Sequence, residues 1–225
     1  NLFIKPEKFM TIFNQKIPII ILAGGKGERF VSKENLPKQL AKVSSHPIII
    51  EIILYYYKNG FRHFILPLGY KLSFFLKYFN NKKNIKKYNL KIIEDQNSEI
   101  IVSKINISLF DSGIKTNKLM RIRRSMKFLK NETDKLGVCY GDIFANIAFK
   151  KELLNFKKKN IDGIAVGYKE RSPFGHINVE KNLIKNFYEK PLMKDPINIG
   201  FYFFKKNLFF NNKINSNNDL ESDFL

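Results

Sequence analysis

The chain has 225 residues and a mass of 26.5 kDa, and its hydrophobic fraction of 44% is too high for a disordered protein. Forty Lys and Arg residues against 20 Asp and Glu residues give a formal net charge of +20, but only six of the forty are Arg. The lysines are accompanied by 25 Asn and 30 Ile residues, a combination typical of an AT-rich genome. The charge therefore indicates a generally basic surface rather than a specific nucleic-acid site, for which arginine is the preferred residue.

Cysteine, histidine and hydropathy patterns exclude several classes of protein. The single cysteine, Cys139, excludes an internal disulfide framework, and three dispersed histidines exclude a zinc site built from His and Cys. The most apolar stretch, residues 48–54, is interrupted by Glu51 and is far too short to span a membrane. Residues 1–16 contain Lys, Glu and Pro without the apolar block of a signal peptide, and we interpret them as an N-terminal extension. We expect a cytoplasmic protein with no membrane partner.

Predicted strands and helices alternate along the first two thirds of the chain. Residues 17–22 form a short apolar run that is typical of a strand buried on both faces. Further strands are expected at 61–66, 90–93, 104–110 and 136–140, and helices at 47–58, 71–79, 119–129 and 150–159. Residues 80–89, rich in Lys and Asn, are expected to form a connector. Four short strands then follow at 164–168, 176–179, 183–188 and 199–204.

This order of elements predicts the fold class. An early β-α-β alternation favours an α/β fold with a parallel sheet and helices on both faces. The short strands that end the chain indicate antiparallel additions. We therefore expect a Rossmann-like three-layer domain over residues 17–225, with a mostly parallel central sheet and late antiparallel strands.

A glycine-rich motif, Leu-Ala-Gly-Gly-Lys-Gly-Glu-Arg at residues 22–29, follows the first predicted strand. Glycines at such a turn allow backbone N–H groups to approach a phosphate closely, although a plain tight turn would need them too. The motif lacks the Gly-Lys-Ser/Thr ending of a P-loop, and Phe30 stands where a dinucleotide-binding motif has its third glycine. Arg29 and Lys38 place two cations near this loop. Nucleotidyl transfer needs such cations, because its transition state spreads negative charge over oxygen atoms.

The glycine motif followed by Pro37-Lys38 resembles that of the sugar-1-phosphate nucleotidyltransferases. The resemblance extends over residues 17–210, and its order and spacing are most similar to the cytidylyltransferases that act on glucose 1-phosphate. It is carried by Pro47-Ile48, Asn59-Gly60, Gly69-Tyr70-Lys71, Asp111-Ser112-Gly113, Arg121, Tyr140-Gly141-Asp142, Phe174-Gly175, Glu189-Lys190-Pro191 and Asn198-Ile199-Gly200.

The resemblance implies a role for each matching residue. The nucleotide would be bound by Leu22, Ala23, Gly24, Gly25, Gly27, Ser112 and Arg121. Arg29 would contact the phosphates, and Lys38 would neutralise charge at the α-phosphate. Asp142 would hold Mg²⁺, a hard cation that prefers oxygen ligands, although a helix N-cap is the alternative for this residue. Glu189 and Asn198 would bind sugar hydroxyls, and Lys190 the sugar phosphate.

Three departures from the family pattern bear on these roles. Lys118-Leu119-Met120 stand where the family has Thr-Gly-Gly, which puts bulk near the nucleotide, and Pro173 stands where the family commonly has Arg. The family's chains also continue beyond the equivalent of residue 225. The resemblance places a second metal-binding Asp in that continuation, so we expect this chain to lack its natural C-terminal end.

The implied reaction is the attack of a sugar 1-phosphate on the α-phosphorus of a nucleoside triphosphate, which releases pyrophosphate. We expect CTP and glucose 1-phosphate as substrates, Mg²⁺ as cofactor and a nucleotide sugar for polysaccharide synthesis as product. Alternatives are a thymidylyl-, uridylyl- or guanylyltransferase of the same fold, or a non-catalytic basic relative that binds nucleotides or nucleic acid. We also expect a homo-oligomer without a specific nucleic-acid partner.

Overall fold

The computed structural model describes residues 16–25, 27, 35–88, 90–93, 105–158, 161–210 and 214–225. Most of the predicted N-terminal extension and Arg29 lie outside these residues. The predicted domain limits stay a prediction. Among the described helices, none combines the length and the apolar character that crossing a membrane requires.

Nine strands and five helices make up the described fold. The strands are β1 Ile19–Leu22, β2 His63–Leu68, β3 Leu90–Ile93, β4 Ile105–Asp111, β5 Lys135–Tyr140, β6 Gly163–Tyr168, β7 His176–Glu180, β8 Leu183–Tyr188 and β9 Ile197–Lys205. The helices are α1 Ile48–Lys58, α2 Leu72–Phe79, α3 Lys82–Tyr88, α4 Lys118–Ser125 and α5 Phe149–Lys158. Short 3-10 turns lie at Lys38–Leu40, Met126–Phe128 and Lys206–Phe210, and a π-helical turn lies at Leu220–Phe224.

A seven-stranded sheet with the order β3-β4-β2-β1-β5-β9-β6 forms the centre of the fold. Strands β1 to β5 pair in parallel, and β9 pairs antiparallel with both β5 and β6. The apolar run of β1 suits its central place, since Ile19, Ile20 and Ile21 are fully buried. The predicted mostly parallel sheet with late antiparallel strands is confirmed.

Apolar side chains cover both faces of this sheet. Ile19 and Ile21 belong to a core cluster with the buried side chains of α1, α2 and α5, whereas Ile20 belongs to a second cluster. That second cluster contains Leu119 and Ile122 of α4 and Leu220 near the end of the chain. The sheet therefore lies between two helical layers, which confirms the predicted three-layer architecture.

The structure corrects the prediction for residues 80–89, because α3 occupies Lys82–Tyr88 where a connector was expected. Asn81 provides the N-cap contact that the prediction overlooked: its Oδ1 accepts a hydrogen bond from Lys83 N at 2.9 Å. Lysine is also a good helix former. Helix α4 ends earlier than expected, at Ser125, and continues as the 3-10 turn Met126–Phe128.

Strands β7 and β8 form a separate two-stranded ribbon. Its side chains are exposed along both strands, including the large apolar Leu183 at 73% and Ile184 at 65%. Backbone hydrogen bonds from Ser172 N to Pro191 O and from Met193 N to Glu170 O extend the ribbon towards the sheet. An isolated two-stranded ribbon is only marginally stable in water. Large apolar side chains exposed together, as here, are typical of an interaction surface.

His63 gives the fold a pH dependence that can be measured. Burial, and to a smaller extent the charge of Lys130, lowers the pKa of His63 from 6.5 to about 4. As the pH falls from 6.5 to about 4, His63 therefore binds a proton in the unfolded chain but stays neutral in the folded chain. We expect this residue to cost about 3 kcal/mol of the free energy of unfolding across that window.

Urea unfolding at pH 7 and at pH 4.5 measures this effect. His63→Gln, which keeps a polar partner for Ser108 Oγ at the position of a 2.9 Å contact, is the matched variant. It should be less sensitive to acid than the wild-type chain. Equal acid sensitivity of the two proteins would show that other groups govern the pH dependence.

Candidate active site

A cavity of about 400 Å³ opens at the carboxyl ends of β1 and β5. Four cationic and two carboxylate side chains line it, so its field favours an anionic ligand. The lining residues are Leu22, Gly24, Gly25, Gly27, Lys38, Gln39, Ile114, Lys115, Thr116, Asn117, Lys118, Arg121, Tyr140, Asp142 and Asp219.

The glycine loop forms one wall of this cavity directly after β1. Gly25 and Gly27 are exposed, and Gly27 has a φ of +59°, a conformation that favours glycine. Gly24 is buried, and its carbonyl oxygen accepts hydrogen bonds from Tyr70 N and from Arg121 Nη2. Ala23 is 1% exposed and belongs to the core. The predicted loop is therefore held by its first glycine and open to the cavity at the next two.

Arg121, predicted to bind nucleotide, holds three loops together through its buried guanidinium. Nη1 donates to Leu68 O at 3.0 Å, at the end of β2, and also to Ser112 Oγ, after β4. Nη2 donates to Gly24 O at 3.1 Å, after β1, and to Gly113 O at 2.9 Å. Because residues that follow β1 and β4 line the cavity, Arg121 fixes the relative positions of two of its walls.

Ser112, also a predicted nucleotide ligand, is fully buried in the same network. Its hydroxyl donates to Leu68 O and accepts from Arg121 Nη1. The side chain is thus occupied in joining the ends of β2 and β4. Its backbone N–H is occupied as well, since it donates to Leu68 O at 2.8 Å, so a nucleotide contact by this residue stays a prediction.

Lys38 and Asp142 belong to distant parts of the chain and contact each other in the cavity wall. Lys38 begins the 3-10 turn Lys38–Leu40, and Asp142 follows β5 by two residues. Lys38 Nζ lies 3.0 Å from Asp142 Oδ2, and their side chains are 43% and 34% exposed. At such an exposed pair both groups stay available to a ligand, and the pairing itself contributes little to stability.

Asn198, predicted to contact the sugar, is linked to the cavity through tyrosines. Its Nδ2 donates to the Tyr202 hydroxyl at 2.6 Å, and that hydroxyl lies 3.4 Å from the hydroxyl of the cavity residue Tyr140. Asn198 Oδ1 accepts from Gly200 N at 2.7 Å, which leaves one N–H of the side-chain amide unused among the described contacts.

Two predicted sugar-phosphate ligands, Glu189 and Lys190, are not brought into this cavity. Glu189 and Lys190 follow β8 at the end of the exposed ribbon and are absent from the cavity wall. Arg29 lies outside the described residues. The roles of these three residues stay predictions.

Several cavity residues were not recognised as ligands in the sequence, among them Gln39, Lys118 and Asp219. Gln39 is 8% exposed and follows Lys38, so its place beside the glycine motif was the available signal. Lys118 was noted only as a departure from the family pattern, and no motif in the sequence indicated that Asp219 would line the cavity. Both lie far in sequence from the glycine loop, and only the folded chain brings them to it.

Cys139 lies in β5 and faces the core. Burial raises the pKa of its thiol from 9.0 to about 12, although a hydrogen bond from Tyr56 lowers the pKa slightly. A thiol with so high a pKa is not a nucleophile at neutral pH.

The nucleotidyl transferase family matches residues 18–224 of this chain. The chain belongs to this family. A probable glucose-1-phosphate cytidylyltransferase of Bacillus subtilis is 30% identical over 195 residues, which cover 84% of this transferase and 75% of the relative. A D-glycero-α-D-manno-heptose 1-phosphate guanylyltransferase of Campylobacter jejuni is 31% identical over 196 residues, which cover 84% and 76% of the two chains.

Solved structures agree with the fold of the transferase. HddC from Yersinia pseudotuberculosis, crystallised with GMP-PN, has a TM-score of 0.64 and 20% identity, and the match covers 93% of this chain and 85% of HddC. The inositol-1-phosphate CTP transferase of T. maritima has a TM-score of 0.60 and 13% identity, with 91% and 77% covered. The Bacillus subtilis and Campylobacter jejuni relatives support sugar-1-phosphate nucleotidyltransferase activity. Their names differ in the base and in the sugar.

Proposed function

We propose that this cavity joins a sugar 1-phosphate to the α-phosphorus of a nucleoside triphosphate and releases pyrophosphate. The observation that carries the proposal is the convergence of the glycine loop, Lys38 and Asp142 on one cavity from three separate segments. Exposed glycines allow backbone N–H groups to approach phosphate oxygens, and the lysine supplies a cation at the same place.

The chain's own groups act by positioning and by neutralising charge. The attacking phosphate oxygen is already an anion at pH 7, so no side chain has to remove a proton from it. Lys38 shields the negative charge that two phosphates bring together and stabilises the charge that develops on the α-phosphate oxygens. The bond from the sugar phosphate to the α-phosphorus forms as the bond to pyrophosphate breaks.

Asp142 fits the role of a Mg²⁺ ligand in this proposal. Its carboxylate is part of the cavity wall and is 34% exposed, so a cation can reach it. Mg²⁺ usually takes one or two protein carboxylates together with substrate phosphates. When bound there, the ion would neutralise the triphosphate and orient it. Lys38, which pairs with Asp142, would then be free to contact a phosphate.

We further propose CTP as the nucleotide and glucose 1-phosphate as the sugar substrate. The sequence resemblance and the Bacillus subtilis relative support cytidylyl transfer, whereas the Campylobacter jejuni relative favours guanylyl transfer as a second candidate. Where the family has Thr-Gly-Gly, this chain has Lys118-Leu119-Met120, and Lys118 is part of the cavity wall. The product would be a nucleotide sugar for polysaccharide synthesis.

A pyrophosphate-release assay tests this proposal. The purified full-length protein is incubated with Mg²⁺, each common nucleoside triphosphate in turn, and either glucose 1-phosphate or a heptose 1-phosphate. We expect release with CTP and glucose 1-phosphate, and release with GTP and the heptose substrate would select the second candidate. No release with any pair, together with nucleotide or nucleic-acid binding, would favour the non-catalytic alternative.

Two further expectations from the sequence stay predictions. The first is self-association, for which the exposed apolar side chains of the β7–β8 ribbon offer a surface. The second is the cytoplasmic location.

A further inference from the structure

The last described segment of the chain, residues 214–225, forms part of the cavity wall. Asn117, at the N-cap of α4, holds this segment: its Nδ2 donates to Ser216 O and Asn218 O, both at 2.8 Å. Lys118 Nζ forms an ion pair with Glu221 Oε2 at 2.5 Å. These contacts bring Asp219, between the anchored positions, into the cavity.

One oxygen of the Asp219 carboxylate is not committed within the fold. Oδ1 caps the terminal π-helical turn by accepting a hydrogen bond from Glu221 N at 3.0 Å. Among the described contacts this is the one hydrogen bond that the side chain makes. Because a carboxylate can accept several hydrogen bonds, Asp219 can bind a ligand and keep its capping role.

The surroundings of Asp219 identify the part of the ligand that it meets. Burial raises the pKa of the Tyr202 hydroxyl, the hydrogen bond from Asn198 and the charge of Lys118 lower it, and the charge of Asp219 raises it again. The contacts link the same groups: Lys118 Nζ, which pairs with Glu221, also lies 3.4 Å from the Tyr140 hydroxyl, and that group lies 3.4 Å from the Tyr202 hydroxyl that accepts from Asn198. That hydroxyl belongs to β9, which is separated from β1 by β5, whereas the glycine loop follows β1.

A negatively charged carboxylate repels phosphate and needs neutral or cationic donors. In the reaction proposed above, the donors expected on the β9 side are the hydroxyl groups of the sugar. We propose that Asp219 is a specificity-determining residue whose free oxygen accepts hydrogen bonds from hydroxyl groups of the sugar 1-phosphate. This inference rests on the proposed function, and it assigns a sugar contact to a segment distant in sequence from Asn198.

Asp219→Ser tests the inference, because serine is also a good N-cap and can still accept from Glu221 N. Hydrogen bonds to a charged group support an increase of about 10- to 100-fold in the KM for glucose 1-phosphate, with the KM for the triphosphate unchanged. Asp223→Asn is the matched control: Asp223 Oδ2 accepts from Asp219 N at 2.6 Å but is absent from the cavity wall. It should leave both KM values unchanged.

Deoxy analogues of glucose 1-phosphate supply a second measurement by calorimetric titration, which needs no turnover. An analogue that lacks the contacted hydroxyl should bind the wild-type chain more weakly than glucose 1-phosphate does, and Asp219→Ser should no longer distinguish the two. An unchanged glucose 1-phosphate affinity in Asp219→Ser would overturn the inference, and so would a loss confined to the triphosphate or to Mg²⁺. Absence of turnover by the wild-type chain with every substrate pair would instead reject the proposed function, and the titrations would still decide the role of Asp219.

Discussion

Lys38→Ala is expected to slow pyrophosphate release by roughly 10²–10³-fold, the usual effect of removing one preorganised charge contact to a transition state. The side chain is 43% exposed and pairs only with Asp142 among its described ion-pair partners, so the fold should survive the change. Single-turnover rates at saturating substrates measure the effect. Lys42→Ala is the matched control, since Lys42 is exposed nearby but does not line the cavity.

Replacing Asp142, the partner of Lys38 in the ion pair, should change the Mg²⁺ requirement as well as the turnover. Asp142→Asn keeps the size of the side chain and removes its charge, so turnover should fall at least as far as in Lys38→Ala. The Mg²⁺ concentration needed for half-maximal rate should rise in Asp142→Asn and stay constant in Lys38→Ala. Equal Mg²⁺ requirements in both variants would remove Asp142 from the proposed metal site, and near-normal turnover in Lys38→Ala would refute the proposed catalytic role.

Gly24→Ala is expected to destabilise the fold by about 3 kcal/mol or more and to lower Tm by roughly 6–12 °C. A Cβ at this position would overlap Nη1 of Arg121 and approach Pro67 O to 2.8 Å. The guanidinium would have to move, and the buried carbonyl groups that it satisfies would lose their donor. Thermal unfolding followed by circular dichroism measures the loss.

Gly25→Ala provides the control for the neighbouring glycine, because nothing lies within 4 Å of a Cβ placed there. Its Tm should stay close to that of the wild-type chain, while any effect on nucleotide binding would come from the loop itself. Arg121→Met should reproduce the destabilisation of Gly24→Ala. If Arg121→Met is as stable as the wild-type chain and only nucleotide binding is lost, Arg121 acts as a ligand rather than as a positioning residue.

Strand β1 and the glycine loop could be predicted because local patterns determine both. A short apolar run marks a strand buried on both faces, and the glycines beside it mark a close approach of the backbone. The layers were predicted correctly because an early β-α-β alternation favours a parallel sheet with helices on both faces. Helix α3 was missed because Lys and Asn were read as a solvated connector, although Asn81 caps a helix there.

The roles of the polar side chains were harder to predict, since they depend on contacts between distant segments. Arg121 was recognised from its motif, but no sequence pattern shows that a guanidinium will satisfy carbonyl groups at the ends of three different strands. Asp219 belongs to a polar stretch that resembles an ordinary surface loop. Its position in the cavity depends on hydrogen bonds from Asn117, about a hundred residues earlier in the chain.

The position of β5 between β1 and β9 also affects how the protein is made. On the ribosome, β1 emerges early and can pair with β2, but its other edge has no partner until β5 has been synthesised. At about 5–20 residues per second, that interval lasts roughly 6–23 s, during which an apolar strand edge is available to other nascent chains. Asp142 and the glycine loop can therefore meet only after β5 has been synthesised, and chaperones that bind apolar strands have that interval in which to act.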